Sequence, residues 1–248
     1  MSVHLPRLGD DPGAPFPDPS TALRRPDGLL AFGGDLSPQR LLAAYRAGIF
    51  PWFSQGQPIL WWSPDPRIVF RTVSLRLPTR LRRSLRDAGW QVRADTAFDA
   101  VVEACANAPR RGQDGTWITA GMRAAYGALH RLGHAHSIEV HAGPRLVGGI
   151  YGVAVGRMFF GESMFSAESG GSKVALAALA ARLRDWGWPW IDAQVENDHL
   201  LRLGAVPVAR DQFLARIATL VALPGVDGPW RAPFGTLSPT DLRPPSPP

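Results

Sequence analysis

Two short segments hold the residues best suited to chemistry. GESMFS, residues 161–166, ends one predicted strand, and IDAQ, residues 191–194, ends another. Side chains on a strand alternate between faces, so Glu162 and Met164 are predicted to point one way and Ser163 and Phe165 the other. By the same rule Asp192 and Gln194 share a face, with Ile191, Ala193 and Val195 behind it. A carboxylate and an amide two residues apart at a strand end can orient an amine nucleophile, and the carboxylate can accept its proton. The competing reading is a solvated strand face, which antiparallel sheets commonly present.

Other constellations are weaker. Lys173, the one lysine among 27 Lys and Arg residues, stands at the start of a predicted helix, where the amides of Gly170, Gly171 and Ser172 could hold an anion. The GGSK run lacks the spacing of a phosphate-binding P-loop. His130, His134 and His136 are separated by a helix-breaking Gly133 and have no acid or cysteine at ligand spacing, so no metal is expected. Cys105 falls in the stripe Phe98, Val101, Val102, Cys105 and reads as core. No GxSxG elbow is present, and covalent nucleophilic catalysis has no visible support. Several of the nine tryptophans, including Trp52, Trp61, Trp62 and Trp117, stand beside proline, glycine or turn residues, where an indole can stack on a nucleobase.

Composition narrows the setting. Net charge is +6, which favours polyanionic partners, and nucleic acid is the commonest. In residues 78–89 Leu81 and Leu85 mark a buried stripe, while Arg80, Arg82, Arg83 and Arg86 occupy the other faces as a comb for phosphates. No run of about 18 apolar residues could span a bilayer. The N-terminus lacks the pattern of a signal peptide, and a single cysteine fits a reducing compartment, so a cytoplasmic location and no membrane contact are expected.

These residues need elements to position them. Helices are predicted at 38–47, 78–88, 96–107, 120–132, 172–186, 198–203 and 211–223, and strands at 68–72, 136–141, 146–155, 158–165, 189–195 and 206–209. The first helix is well signalled, with Ser37 as N-cap, Pro38 at the first position, a Leu36/Leu41 staple and Gly48 as its end. Turns at Ala142-Gly143-Pro144 and Gly156-Arg157 are spaced for a three-strand meander. The order implies class α+β: residues 1–67 as a small N-terminal domain with a Pro-rich arm, 68–232 as the main domain, and 233–248 as an extended Pro-rich tail.

Taken together the motifs resemble those of the leucyl/phenylalanyl-tRNA protein transferases. The resemblance rests on GLLAFGGDLSPQRLLAAYRAGIFPWF (28–53), ILWWSPDPR (59–67), GTWIT (115–119), AYGALHRLGHAHSIEV (125–140), LVGGIYGVAVG (146–156), GESMFS and IDAQVENDHLLRLGA (191–205), and runs over residues 26–213. It implies a small N-terminal domain before an acetyltransferase-like (GNAT) domain with a mostly antiparallel sheet flanked by helices. It also implies transfer of Leu or Phe, less readily Met, from aminoacyl-tRNA to proteins beginning with Arg or Lys, which marks them for N-degron proteolysis. No cofactor is implied, and a monomer is expected. Carried over residue by residue, the polar centre falls on Glu162, Asp192 and Gln194. The amino-acid pocket falls on Ile150, Phe159, Met164, Leu176, Leu179 and Ile191. The terminal adenosine is expected near Trp52 and Trp117, with Tyr45 and Tyr126 adjacent. In this reading Gln194 and Asp192 orient the amine and Asp192 takes its proton, while Glu162 holds the acceptor's cationic side chain or braces the site. The chain departs from the family pattern at Trp190, at Gly171 and at His141-Ala142-Gly143. Two rivals remain: a CoA-dependent acetyltransferase, whose R/Q-x-x-G-x-G/A run is absent, and an RNA-binding module, which would leave the paired polar residues idle.

Overall fold

Short apolar runs separated by turn residues give the first sixty residues a small sheet of their own, which the sequence pattern does not announce. In the computed structural model, which describes residues 5–75, 77–86, 88–108 and 116–242, this sheet has the order β1-β2-β4-β3. Its strands are β1 (Arg7–Leu8), β2 (Leu29–Gly33), β3 (Phe50–Pro51) and β4 (Leu60–Trp62). Gly115 of GTWIT and residues 243–248 of the tail lie outside the described residues. Helix α1 (Pro38–Arg46) is capped as predicted: the Ser37 hydroxyl accepts the Arg40 amide N–H, Pro38 opens the helix, and Gly48 follows at φ 72°.

The main sheet begins with β5 (Arg67–Arg71) and has the order β11-β5-β10-β9-β8-β7-β6. Along the chain come α2 (Thr79–Ser84), β6 (Trp90–Ala94), α3 (Phe98–Asn107) and α4 (Ala120–Arg131). The predicted meander follows as β7 (Ala135–Ala142), β8 (Arg145–Val155) and β9 (Met158–Ser166), all antiparallel. Then come α5 (Gly171–Asp185), β10 (Trp190–Gln194), α6 (Asp198–Arg202), β11 (Val206–Val208), α7 (Arg210–Ala222) and α8 (Arg231–Phe234). Every pairing in this sheet is antiparallel except β9 with β10. The α+β class is therefore as expected.

Apolar layers cover both faces. One contains Tyr45 of α1, the Phe98, Val101, Val102 and Cys105 stripe of α3, Tyr126 of α4 and Phe213 of α7. The other contains Leu176, Leu179 and Leu183 of α5 with Trp188 and Trp230. Helix α5 lies close on β8: a Cβ on Gly171 would strike the backbone of Val147 and Gly148, so glycine at this departure from the family pattern is what permits the contact.

Three expectations need correction. The 78–88 helix is shorter than expected: it stops at Ser84, and Arg86 lies in the following turn. Strand β6 was not foreseen, although WQVRA alternates buried and exposed residues. The tail is not simply extended: Phe234 is fully buried, Leu242 is buried, and Leu237 exchanges both backbone hydrogen bonds with Val92, at 2.8 and 2.9 Å. The polar anchor of this segment is Asp95, whose carboxylate accepts the Trp230 amide at 2.7 Å and contacts His136 Nδ1 at 2.8 Å. Trp230 stacks on His136 with centroids 3.9 Å apart. Trp230→Ala is expected to destabilise the protein by about 3–5 kcal/mol in urea unfolding, because a fully buried indole is removed; a loss under about 1 kcal/mol would show that the segment contributes little to the core.

Candidate functional site

The site is built where β9 and β10 part. They are partnered only at Ile191 with Phe159 and at Asp192 with Phe160. Immediately beyond, each strand carries an irregularity. On β9, Tyr151 pairs with Ser163 and Gly152 with Gly161, which leaves Glu162 as an extra residue. On β10, Asp192 pairs with Val69 and Gln194 with Ile68, which leaves Ala193 extra, and Gln194 takes φ 62°. Gly152 is required opposite the first bulge, where any Cβ would meet the Phe160 carbonyl.

The two strands open around a cavity of about 940 Å³. Ile150, Met164, Leu176 and Ile191 form its apolar wall, Glu162, Asp192 and Gln194 a polar edge, and Trp52 and Trp117 line the same space. Trp52 is steadied by Trp62, whose indole N–H donates to the Trp52 carbonyl at 2.7 Å. Phe159 and Leu179, expected in the pocket, are fully buried and do not line it; they back the wall from within the core. Trp190 stays out of the cavity as well, stacked on Phe213 at 6.3 Å.

The bulges also correct the face assignment. Simple alternation would put Glu162 and Met164 on one side. The extra residue reverses the phase, so Phe165 packs in the layer of Tyr45 and Tyr126 while Met164 packs with that of Leu176. Glu162 and Met164 meet at the cavity from different directions. Nor do Tyr45 and Tyr126, expected adjacent to Trp52 and Trp117, line the cavity. Both are fully buried beneath Glu162: Tyr45 donates to its Oε1 at 2.8 Å and Tyr126 to its Oε2 at 2.6 Å, with the two phenol oxygens 2.7 Å apart. Gln194 Nε2 donates to the same Oε1 at 2.8 Å.

Burial, the largest influence, and the nearby charge of Asp192 outweigh the Tyr126, Tyr45 and Gln194 donors that favour the carboxylate, and Glu162 is pushed up from 4.5 to about 7. Burial and the neighbouring Glu162 raise both tyrosines well above their ordinary value.

Asp192 stands differently. Its Oδ1 accepts from Arg67 Nε at 2.8 Å and from the Gln194 amide at 2.9 Å, and its Oδ2 accepts from Arg67 Nη2 at 2.6 Å. It is fully buried, as is Arg67 at 1% exposure. A carboxylate held by a bidentate guanidinium is poorly placed to take a proton from a substrate amine. Arg67 itself was missed. The available signal was an arginine opening the apolar run RIVF in a strand that needs both faces covered, a position that demands a buried counter-charge.

At the rim, burial and then the charges of Lys173 and Arg202 hold the His199 imidazole below its ordinary value, which places Lys173 near the cavity His199 lines. Of the arginine comb, Arg80, Arg83 and Arg86 are exposed and Arg82 is half-buried. Among the described residues none of the four forms an ion pair. Leu81 rests against Gly170 at the start of α5, so the comb lies beside the helix that supplies Leu176. His136 is committed to Asp95, and the His130 ring stacks on Phe98 at 4.2 Å. No helix among the described residues is long and apolar enough to cross a membrane.

The raised pKa of Glu162 has a consequence for stability. Between 4.5 and about 7 the folded protein binds a proton that the unfolded chain has released, so this contribution favours folding at low pH and is lost as pH rises through that window. Glu162→Gln, permanently neutral, is expected to gain in thermal stability relative to the unsubstituted protein as pH rises from about 5 to 8. A melting difference that stays flat over that range would show that Glu162 does not titrate there.

The family model described as "Leucyl/phenylalanyl-tRNA protein transferase" matches residues 69–218, and the one described as the N-terminal domain of that family matches residues 34–65. The chain is 68% identical over 236 residues to a leucyl/phenylalanyl-tRNA--protein transferase of Xanthomonas axonopodis pv. citri, covering 95% of each chain. It is 61% identical to that of Xylella fastidiosa, covering 92% of this chain and 94% of the relative. Similarity to solved structures is slight: a GCN5-related N-acetyltransferase from Kribbella flavida gives TM-score 0.37 at 12% identity, over 69% of this chain and 61% of that one. With matched models over both parts and relatives of this identity along nearly its whole length, the chain belongs to the leucyl/phenylalanyl-tRNA protein transferase family of aminoacyltransferases.

Proposed function

We propose that the protein transfers Leu or Phe, and less readily Met, from aminoacyl-tRNA to acceptor proteins that begin with Arg or Lys, marking them for N-degron proteolysis, and that it acts as a monomer in the cytoplasm. The observation that carries this reading is a cavity in which an aliphatic wall, a polar edge and two indoles meet. The wall suits an apolar side chain. It discriminates by size and shape, where one methylene is worth about 1–3 kcal/mol, so donors of similar bulk overlap. Trp52 and Trp117 offer ring faces on which the terminal adenosine can stack. The arginines of α2 and its following turn suit the phosphates of the same RNA.

The ester donor is already activated, so alignment is the main task; a well-oriented pair gains about 7–11 kcal/mol over free encounter. The acceptor's α-amine attacks the ester carbonyl, a C–N bond forms, the ester C–O bond breaks, and the ribose oxygen leaves as a hydroxyl. The amine must also shed a proton. Glu162 faces the cavity with a pKa of about 7 and with one acceptor position left on Oε2, and it is the group suited to receive that proton. Gln194, tied to Glu162, keeps its amide carbonyl for orienting the amine. Asp192, committed to Arg67 on both oxygens, contributes by positioning rather than as a base.

Labelled leucine carried on Leu-tRNA should appear on a peptide beginning with Arg, without ATP, metal or ribosomes, and far less on one beginning with Ala; no transfer to either peptide would overturn the reading. Glu162→Gln should lower the single-turnover rate by about 10²- to 10⁴-fold with donor affinity nearly unchanged. Replacing Arg80, Arg82, Arg83 and Arg86 together by Gln should weaken tRNA binding and flatten its dependence on salt, by about one unit of slope for each phosphate no longer neutralised. An unchanged slope would remove the comb from the RNA interface.

A further inference from the structure

Arg67 does not line the cavity, yet four separate groups converge on it. Two of its nitrogens hold both oxygens of Asp192, at 2.8 and 2.6 Å. Nη1 donates to the Gly48 carbonyl at 3.0 Å, and the guanidinium lies 4.7 Å from the ring centres of both Phe50 and Phe213. These interactions run to opposite sides of the site. Through Asp192 they reach the Gln194 amide, whose bond to Oδ1 spans the β10 irregularity, and then the Gln194 side chain on Glu162. Through Gly48 and Phe50 they reach β3, which leads directly into Trp52.

We propose that Arg67 is a positioning residue for aminoacyl transfer, fixing the polar edge of β10 and the Trp52 wall at one spacing across the cavity. The inference rests on the transferase reading above. Support for the fold alone would not require this arrangement. A buried ion pair is on average no better a stabiliser than apolar side chains of the same volume, so stability by itself does not explain a charged pair here. Gln194, moreover, holds a left-handed backbone conformation that a non-glycine residue adopts only when its surroundings impose it, and the Asp192 bond to its amide is the constraint that does so. The planar guanidinium is suited to the task, since a lysine could carry the charge but neither the fork nor the stacking between two rings.

Charge follows geometry. Glu162 is faced by Tyr45 from α1, Tyr126 from α4 and Gln194 and Asp192 from β10, with Arg67 of β5 behind Asp192. Arg67 neutralises the anion closest to Glu162, and its loss leaves Asp192 uncompensated.

Four variants test the proposal: Arg67→Lys, Arg67→Met, Asp192→Asn and the double substitution Arg67→Met with Asp192→Leu. Each is measured for folding by circular dichroism, for affinity towards Leu-tRNA, and for single-turnover transfer at saturating donor. The Glu162 carboxyl is followed in the free protein by ¹³C NMR, assigned with Glu162→Gln. Folded Arg67→Lys and the folded double variant are expected to bind donor about as well as the unsubstituted protein and to transfer about 100-fold more slowly, the usual cost of misplacing reactants by about an ångström. The Glu162 titration is expected to move to higher pH in Arg67→Met and to lower pH in Asp192→Asn, and to stay near its original position in Arg67→Lys. Normal turnover in the double variant would make the pair a mere filler of the core and overturn the proposal. So would normal turnover in Arg67→Lys, which also decides the matter should Arg67→Met not fold. If the unsubstituted protein transfers nothing, the transferase reading fails instead, and the NMR titration still reports whether Arg67 governs the site.

Discussion

Strands β9 and β10 run parallel in a sheet otherwise antiparallel, and they stay together for two residue pairs. An extra residue on each then turns the strands apart, and the cavity opens in the gap. The backbone groups freed there must find partners or water. One of them, the Gln194 amide, is satisfied by Asp192, which in turn requires Arg67. The opening of the sheet and the charge beneath it are thus one structural event.

Within that gap the electrostatics is divided between two acids. Asp192 is buried with a guanidinium on both oxygens. Glu162, a strand away, is surrounded by neutral donors and titrates near neutrality. Two carboxyls in such different company are suited to different parts.

The extent to which this was visible beforehand follows the range of the interactions involved. The meander from Ala135 to Ser166, the α3 stripe ending at Cys105 and the Ser37 cap were all legible, because period and capping are local properties. The polar trio Glu162, Asp192 and Gln194 was legible by residue type, and the structure brings its members together. Its detail was not. A bulge changes the phase of a strand without leaving a mark in composition, so Glu162 and Met164 were assigned to one face. Tyr45 and Tyr126 are separated by 81 residues and meet only because α1 and α4 share a core, and nothing in either segment says that they lie under an acid. The N-terminal sheet and the folded part of the tail escaped for a related reason: short runs among prolines read as coil until a neighbour supplies the missing hydrogen bonds.

That neighbour relation has a wider meaning at the far border of the main sheet. Strand β6 is the last in its row, and such a strand offers unpaired amides and carbonyls to any passing chain. Leu237 occupies both groups of Val92, and Phe234 and Leu242 seal the apolar surface alongside. The segment from Trp230 to Leu242 thereby covers part of that border, and a chain clipped before Trp230 would leave both backbone groups of Val92 open to a passing strand even if the cavity were intact.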